Sequence, residues 1–350
     1  MSPRATILEA ARSVVGAKFK WEHPLYLVHS LTARCNARCG FCAWNPEFYD
    51  PKEQLSTEAI KQLYTDARAA GFLGLSIWGG EPLLHPDFTD IARHAHELGL
   101  VTHMVTNGFL LERKMDAIVP YLDRICISLD HPSSAHDEVR GIKGLFDKIV
   151  AGTKELRRLA PKKQIVFIYT LHKNNSDVAS IQQMNALMQE LGALVVYNGL
   201  REETAVADPD SKISHWAASQ EQLLEAFTEI SAAKKRGAPI LNSQTHIKMM
   251  QKGPPEYRCH WPKFMLPIEA NGDVVDCMHW GTRPMANLRT MPLAEVLKLP
   301  RVHALAGAEG EACHKCVSIH RVEISEVWRG NLEPLLSWRM LGQTQQPGAC

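Results

Sequence analysis

Strand-like and helix-like sequence patterns alternate along the first half of the chain. Most of the short apolar runs rich in β-branched residues are followed by a segment whose apolar residues recur at helical spacing. The strand-like runs lie at residues 25–31, 73–78, 100–106, 123–129, 164–171 and 193–197. Alternation at this spacing predicts a parallel sheet whose strands are joined by right-handed crossovers. If the sheet closes toward a barrel, functional groups gather on the loops after the carboxyl ends of the strands.

Composition restricts the class of protein and its partners. The 350 residues are 45% hydrophobic and 22% charged, typical of a soluble globular chain of about two domains or one α/β barrel. A net charge of +1 gives no bulk attraction to nucleic acid. No apolar run reaches the roughly 18 residues of a membrane-spanning helix, and the amphipathic residues 1–23 lack a signal-peptide core. Nine cysteines in such a chain indicate a reducing, cytoplasmic setting and metal binding or catalysis.

The segment CNARCGFC, directly after the first strand-like run, places Cys35, Cys39 and Cys42 in a C-x3-C-x2-C pattern. A disulfide would leave one cysteine over, and a tetrahedral zinc site would need a fourth ligand from elsewhere. An iron–sulfur cluster with three protein ligands leaves one iron open for chemistry. A structural metal clip or buried free thiols are the alternatives.

Three further strand-end loops carry polar groups. The segment GGEP (79–82) follows the second run, TNG (106–108) the third, and SLD (128–130) ends the fourth. Gly79 and Gly80 would let the backbone approach a ligand closely, and Glu81 places a carboxylate beside it. Each segment alone is typical of an ordinary turn. Together with the cysteine loop they predict a polar site at one rim of the sheet.

These motifs resemble the radical S-adenosylmethionine (SAM) superfamily over residues 24–200. The resemblance implies an α/β fold with a partial (β/α)6 TIM-type barrel. It also implies a [4Fe–4S] cluster held by Cys35, Cys39 and Cys42, whose open iron chelates the methionine end of SAM. Such clusters, reduced by an external donor such as flavodoxin or ferredoxin, cleave SAM to a 5′-deoxyadenosyl radical that abstracts hydrogen from substrate.

The resemblance also assigns roles to individual positions. Phe41 matches an aromatic site near adenine, and Glu81 with Gly79 and Gly80 matches the motif around the methionyl ammonium. The other expected SAM contacts, at the ends of strands three to five, are Asn107, Ser128, Asp130, Thr170 and Asn174. Four residues within the barrel region are expected to be structural: Cys126, His94, His96 and His103.

The second half contains another cysteine set. Cys259 and Cys277 flank a predicted hairpin with an Asn271–Gly272 turn, and Cys313 and Cys316 form a C-x2-C knuckle. A zinc ribbon is the alternative for these four residues. The spacing resembles the start of a SPASM extension, shortened to a "twitch" form with one auxiliary [4Fe–4S] cluster. Four cysteines would close that cluster, which favours electron transfer over substrate ligation.

Several residues near the second set are not assigned as ligands. Cys350 is expected to be unliganded. The neighbouring histidines and tryptophans are expected to pack or be solvated rather than to act: His260, His279, His314, Trp261 and Trp280.

The predicted organisation has five parts. They are an N-terminal amphipathic segment (1–23), the barrel (24–200), a helical linker that could cross the barrel mouth (201–257), a small cysteine-rich α+β auxiliary-cluster domain (258–320) and a tail (321–350). Because only a short segment precedes the first strand, a small-molecule substrate is favoured over a peptide. The alternatives are a peptide-modifying SPASM-type maturase and a non-catalytic zinc or iron–sulfur electron carrier.

Overall fold

The computed structural model describes residues 24–42, 54–200, 215–253, 257, 259–275, 277, 284–300, 302 and 318–334. Several predicted features therefore lie outside the described residues: the N-terminal segment 1–23, the start of the linker (201–214), and Cys313, Cys316, Cys350, His279, His314 and Trp280.

Six parallel strands form the main sheet. They are β1 (Tyr26–Thr32), β2 (Gly74–Gly79), β3 (Val101–Thr106), β4 (Arg124–Ser128), β5 (Gln164–Leu171) and β6 (Leu194–Gly199). Each pairs in parallel with the next along the chain, so their carboxyl ends share one rim. This confirms the predicted α/β fold with a partial barrel.

Helices connect the strands and cover the outer face of the sheet. The described helices are α1 (Thr57–Ala69), α2 (Phe88–Glu97), α3 (Met115–Tyr121), α4 (Ala135–Arg140), α5 (Leu145–Leu159), α6 (Val178–Glu190), α7 (Gln220–Lys235), α8 (Gln244–Lys252), α9 (Leu293–Val296) and α10 (Ile319–Trp328). Short polar side chains begin several of them. Ser56 caps α1, Asp177 caps α6, and Ser219 forms a capping box with Gln222 on α7.

The two faces of the sheet differ in burial. In β3, Thr102, Met104 and Thr106 point to the helices and are buried, whereas the alternate residues Val101, His103 and Val105 are only half-buried. The outer face is thus the hydrophobic core, and the concave inner face keeps contact with solvent along part of its length.

The second half extends the same sheet. Strand β7 (Met265–Ile268) pairs in parallel with β1, and β8 (Asp273–Val274) and β9 (Ala286–Asn287) follow in antiparallel order. The predicted hairpin at the Asn271–Gly272 turn is therefore present. Its pairing with β1 was not predicted, because pairing between distant segments has no local sequence signal.

Helix α10 lies against the concave face, although residues from 321 onward were assigned to a tail. Ile319 packs with Cys126, Val166 and Val196 from the inner face, and its backbone N donates to Asn198 Oδ1 at 3.3 Å. Farther along α10, Ile324 and Trp328 pack with Leu25, Leu73 and Phe264 near the start of the strands. This helix therefore closes the end of the barrel opposite the cysteine rim.

The described part of the linker belongs mainly to the outer layer. Helix α7 buries Leu223, Ala226 and Phe227 in the main core, and Ile240 bridges to Val195 at the β6 edge. Among the described linker residues, the turn at Trp216 reaches the cysteine loop and α7 packs in the outer layer, and the bridge over the barrel mouth stays a prediction.

Candidate active site

The cysteine loop lies at the rim of the sheet, directly after β1. Cys35 and Cys39 are half-buried and Cys42 is exposed. The backbone N of Ala37 donates to Cys35 Sγ at 3.4 Å, and the Cys42 N donates to the Cys39 carbonyl at 3.2 Å. These bonds fold the segment into a compact loop with its sulfur atoms near the rim.

Two strand-end loops and the end of α4 hold this cysteine loop in place. The Glu81 N donates to the Arg34 carbonyl at 2.8 Å. Asn107 Nδ2 donates to Asn36 Oδ1 at 2.8 Å. On the far side, the Arg38 N donates to the carbonyl of Arg140 at 2.9 Å. The GGEP and TNG segments therefore meet the cysteine loop, as their strand-end positions predicted.

Close packing against the backbone of the neighbouring segment requires glycine at positions 79 and 80. A Cβ on Gly79, where φ is +126°, would lie 2.7 Å from the Thr32 carbonyl oxygen, and one on Gly80 would overlap the Arg34 backbone. Their close approach is thus to the segment that leads into the cysteines. Whether they also contact SAM stays a prediction.

Glu81 is completely buried beneath the rim. Its Oε1 accepts from Thr106 Oγ1 at 2.8 Å and from the Leu83 N at 3.2 Å, and its Oε2 accepts from the Asn107 N at 2.7 Å. Burial raises the pKa of Glu81 to about 7 despite these bonds. A carboxylate offers about four acceptor positions, so one remains for a cation such as an ammonium.

Asp130 is buried and paired with a residue that was not predicted. Arg140, the last residue of α4, donates from Nε to Asp130 Oδ2 at 2.6 Å and from Nη1 to Cys39 Sγ at 3.5 Å. Asp130 Oδ1 accepts from the Thr170 N at 3.1 Å. Burial opposes ionisation of Asp130, but the Arg140 guanidinium holds its pKa below the usual value. The Asp130 side chain is thus engaged by the protein, and its predicted contact with SAM is untested.

Aromatic rings surround Phe41. The Phe41 ring centroid lies 5.8 Å from that of His172 and 6.0 Å from that of Trp216. The Arg140 guanidinium lies 5.5 Å from the Phe41 centroid. A Cβ on Gly40 would collide with the Trp216 ring, so the loop needs glycine at that position. An adenine ring beside Phe41 would therefore meet an apolar, aromatic surface.

The remaining predicted contacts lie at the ends of β4 and β5. Ser128 and Thr170 are half-buried at the rim. Asn174 is exposed, whereas its neighbour Asn175 is buried and donates from Nδ2 to the Asp130 carbonyl at 2.6 Å and the Thr170 carbonyl at 2.8 Å. Asn175 therefore joins the loop after β4 to the end of β5. The side chain of Asn174 does not make these two bonds.

The donor set at the rim suits an iron–sulfur cluster. Among the described residues, no three His, Cys, Asp or Glu side chains are arranged around a single metal ion. A four-iron cluster is larger than one ion, so its three thiolates need not converge on one point. Hydrogen bonds from the Ala37 N and Arg140 already point at two of the sulfur atoms, as is usual for thiolate ligands.

The described part of the second cysteine set is Cys259 and Cys277, and the residues next to Cys259 lie beside helix α10. Cys259 and Cys277 are half-buried at the two ends of the segment that contains the β7–β8 hairpin. The His260 N donates to Ser325 Oγ at 2.7 Å, and the Arg321 guanidinium lies 5.3 Å from the Trp261 ring. Trp261 is buried, as expected for a packing residue. In sequence, helix α10 begins three residues after Cys316.

Family models match both regions. The Radical SAM superfamily model matches residues 29–183, and an iron–sulfur cluster-binding domain model, SPASM, matches residues 259–317. The chain belongs to the radical SAM superfamily. It is an enzyme of that superfamily with a C-terminal SPASM domain, and the sequence resemblance is confirmed.

Individual relatives cover most of this radical SAM chain. The PqqA peptide cyclase of Ruegeria pomeroyi is 27% identical over 281 residues, 77% of this chain and 71% of that relative. The AdoMet-dependent heme synthase of Methanosarcina barkeri is 30% identical over 215 residues, 61% of this chain and 60% of the relative. The structure of Streptococcus suis SuiB bound to precursor peptide SuiA superposes with a TM-score of 0.66 at 18% identity, covering 90% of this chain and 75% of that one. The similarity to SuiB, at 18% identity, shows a shared fold and nothing more.

Membership of the family decides the cofactors. The radical SAM domain binds a [4Fe–4S] cluster and SAM, and the SPASM domain binds auxiliary iron–sulfur clusters. No helix in the described ranges combines the length and apolar character needed to cross a bilayer.

Several residues of this rim were not found from the sequence. Arg140, His172 and Trp216 reach it from α4, the β5 loop and the linker turn. Asn36 and Asn175 sit beside predicted residues and could have been chosen as loop-fixing amides. Nothing local distinguishes Arg140 from other helical arginines.

Proposed function

We propose that this radical SAM enzyme modifies a peptide through hydrogen abstraction and oxidation. The observation that carries the proposal is the similarity to PqqA peptide cyclase, which extends over 77% of this chain. That length is more than the barrel alone and includes part of the second half. A small-molecule substrate was favoured by the sequence. It is now the second candidate, and the similarity to a heme synthase supports it.

The protein's residues would position the cofactor and exclude solvent. Cys35, Cys39 and Cys42 would hold the cluster, and Glu81 would accept a hydrogen bond from the SAM ammonium. Phe41 would lie along the adenine. When bound and reduced, the cluster and SAM together supply a 5′-deoxyadenosyl radical that removes hydrogen from substrate. Ser128, Asp130, Asn107 and Thr170 remain proposed SAM contacts at the same rim.

The auxiliary site would be formed by Cys259, Cys277, Cys313 and Cys316. Four thiolates would close one [4Fe–4S] cluster without an open iron. A closed cluster can accept the second electron of a two-electron oxidation, which hydrogen abstraction alone does not remove. Reductant for the barrel cluster would come from a flavodoxin or a ferredoxin.

Peptide substrates are tested directly by mass spectrometry. Anaerobically reconstituted enzyme, SAM and dithionite are incubated with peptides encoded by short reading frames beside the gene. We expect one peptide to lose hydrogen while 5′-deoxyadenosine accumulates in proportion. The matched control is the Cys35→Ala, Cys39→Ala, Cys42→Ala variant, which should produce neither.

A small-molecule substrate would give a different result. The low-molecular-weight fraction of a cell extract would then stimulate 5′-deoxyadenosine formation, and no peptide would change mass. That outcome would replace the peptide proposal with the second candidate.

A further inference from the structure

The described residues do not pack the concave face of the barrel completely. Several inner-face residues are only half-buried, including the apolar Val105 and Ile168. Among the described residues, helix α10 packs on this face through Ile319 and, toward the start of the strands, around Leu25 and Phe264.

The register of β2, β1 and β7 shows which of their residues point to the helices and which to the concave face. Strand register aligns His29 with Ile77 on one side and with Ile268 on the other. These three point to the helices, since both isoleucines belong to the main core and His29 Nδ1 lies 2.9 Å from Tyr64 Oη on α1.

The next residue on each strand must point the opposite way. Those residues are Trp78, Ser30 and Glu269, and they form a row across the concave face. Ser30 and Trp78 are register partners. Glu269 follows β7, and its N still donates to the Asp273 carbonyl across the hairpin at 2.8 Å. The carbonyl of the next residue, Ala270, accepts from the N of Leu55, a residue of the main core, at 2.9 Å. Glu269 therefore points to the concave face.

Two members of this row have polar atoms without partners. Ser30 is fully buried and Glu269 is 9% exposed. Ser30 Oγ and Glu269 Oε2 are buried, and neither atom takes part in a hydrogen bond. Buried polar atoms are nearly always hydrogen-bonded, and an unmet bond is unfavourable. A carboxylate and a hydroxyl left in this state on the concave face indicate a ligand that meets them.

The position of the row fits a substrate. Ser30 Oγ is close enough to Gly79 that a Cβ there would lie 2.8 Å from it, so the row adjoins the GGEP segment. At the other end, β7 leads through its hairpin to Cys277. A substrate that must approach both the barrel cofactor and the auxiliary site would pass over this row.

We propose that Glu269 and Ser30 form a substrate-binding site that takes an N–H group, from either an ammonium or a peptide amide, beside the Trp78 indole. A carboxylate accepts from N–H groups and a serine hydroxyl can do the same, so the pair selects a donor. Burial raises the pKa of Glu269 to about 7, and a bound cation would favour its ionised form. The site deepens the proposed function, because a peptide offers both sources of N–H.

Fluorine NMR of the holoenzyme tests this site without a known substrate. The tryptophans are labelled as 5-fluorotryptophan, and the Trp78 resonance is assigned with Trp78→Phe. The probes are methylammonium, N-methylacetamide and, as a probe without N–H, tetramethylammonium. We expect a saturable shift of the Trp78 resonance with methylammonium, N-methylacetamide or both. The more effective probe identifies the source of the N–H group.

Substitutions then locate the binding group. Glu269→Gln keeps the shape of the side chain and should weaken methylammonium binding at least tenfold. Ser30→Ala should weaken the binding of N-methylacetamide. The matched control is Glu295→Gln, an exposed carboxylate on α9, which should leave the titrations unchanged.

The outcomes separate this site from the proposed function. Equal shifts with tetramethylammonium, equal affinities in Glu269→Gln, or no shift with any probe would overturn the site. If the probes bind as expected and no peptide is modified, the site stands and the peptide proposal fails. If a peptide is modified, Glu269→Gln should raise its KM at least tenfold.

Discussion

Arg140 Nη1 donates to Cys39 Sγ at 3.5 Å. Nε of the same guanidinium donates to the buried Asp130 at 2.6 Å, so one side chain connects a predicted cluster ligand to the end of β4. Because Arg140 is the final residue of α4, the helix sets the distance between them. The cluster loop is therefore positioned by a neighbouring β/α unit as well as by its own strand.

Replacing Arg140 should change both the cluster and the fold. Hydrogen bonds to ligating sulfur raise a cluster's reduction potential, so Arg140→Lys should make the barrel cluster harder to reduce. Arg140→Met leaves Asp130 as a buried unpaired charge and should lower the free energy of unfolding by about 3–5 kcal/mol. A redox titration followed by electron paramagnetic resonance and a urea unfolding curve measure the two effects. Arg93→Lys, on the exposed side of α2, is the control. An unchanged potential in Arg140→Lys would show that the contact does not reach the cluster.

Glu81 should contribute to SAM affinity. Glu81→Gln removes the charge that would meet the methionyl ammonium, and the loss of such a bond should cost about 1.5–3 kcal/mol, or roughly ten- to a hundredfold in Kd. Equilibrium binding of SAM to the reconstituted enzyme measures the change. The control is Glu112→Gln, which changes an exposed carboxylate in the same way. An unaltered Kd in Glu81→Gln would assign the ammonium to another group.

The raised pKa of Glu81 predicts that SAM binding depends on pH. Burial raises this pKa from an ordinary value of 4.5 to about 7. Glu81 therefore favours the folded state while protonated at low pH, and this contribution is lost as pH rises through about 7. Only the ionised form attracts an ammonium strongly, so SAM affinity should increase between about pH 6 and pH 8. Isothermal titration in buffers of different ionisation enthalpy would also detect the proton released. A pH profile with the same slope in Glu81→Gln would contradict this assignment.

The two cysteine sets should hold two clusters. Reconstituted enzyme should contain about eight irons, and the Cys35→Ala, Cys39→Ala, Cys42→Ala variant about four, because each [4Fe–4S] cluster needs its thiolate ligands. Metal analysis and the visible absorption spectrum measure this. Cys126→Ala is the matched control, since Cys126 is buried in β4 and packs against Val166 and Ile319. Zinc in the second set, with only about four irons in total, would refute the prediction.

The auxiliary cluster should be needed for product but not for SAM cleavage. Cys313→Ala combined with Cys316→Ala removes two proposed ligands, and the barrel rim contains its own cysteine set. The variant should still release 5′-deoxyadenosine under dithionite and form little product, because the second electron then has no acceptor. The measured quantity is product per 5′-deoxyadenosine. A ratio equal to that of the unmodified enzyme would make the second site structural. A circular dichroism spectrum equal to wild type is the control for folding.

Local patterns were sufficient for the main elements of the barrel. Strands β1 to β6 follow the predicted apolar runs closely because buried strands require such runs. Two helices were missed for identifiable reasons. Helix α3 is short and contains Pro120, and α4 has only six residues. Both are held by packing rather than by a long amphipathic pattern.

The sequence by itself determined which chemistry the chain carries. The spacing of Cys35, Cys39 and Cys42 and the strand-end position of Glu81 are local features, and parallel strands necessarily bring their carboxyl ends to one rim. Only the tertiary structure decided which distant residues serve that rim. Arg140 reaches Cys39, β7 joins β1, and Glu269 comes to lie on the concave face, because each contact depends on the relative placement of segments far apart in sequence. Such contacts depend on packing and strand pairing between distant segments, and no local sequence pattern encodes them.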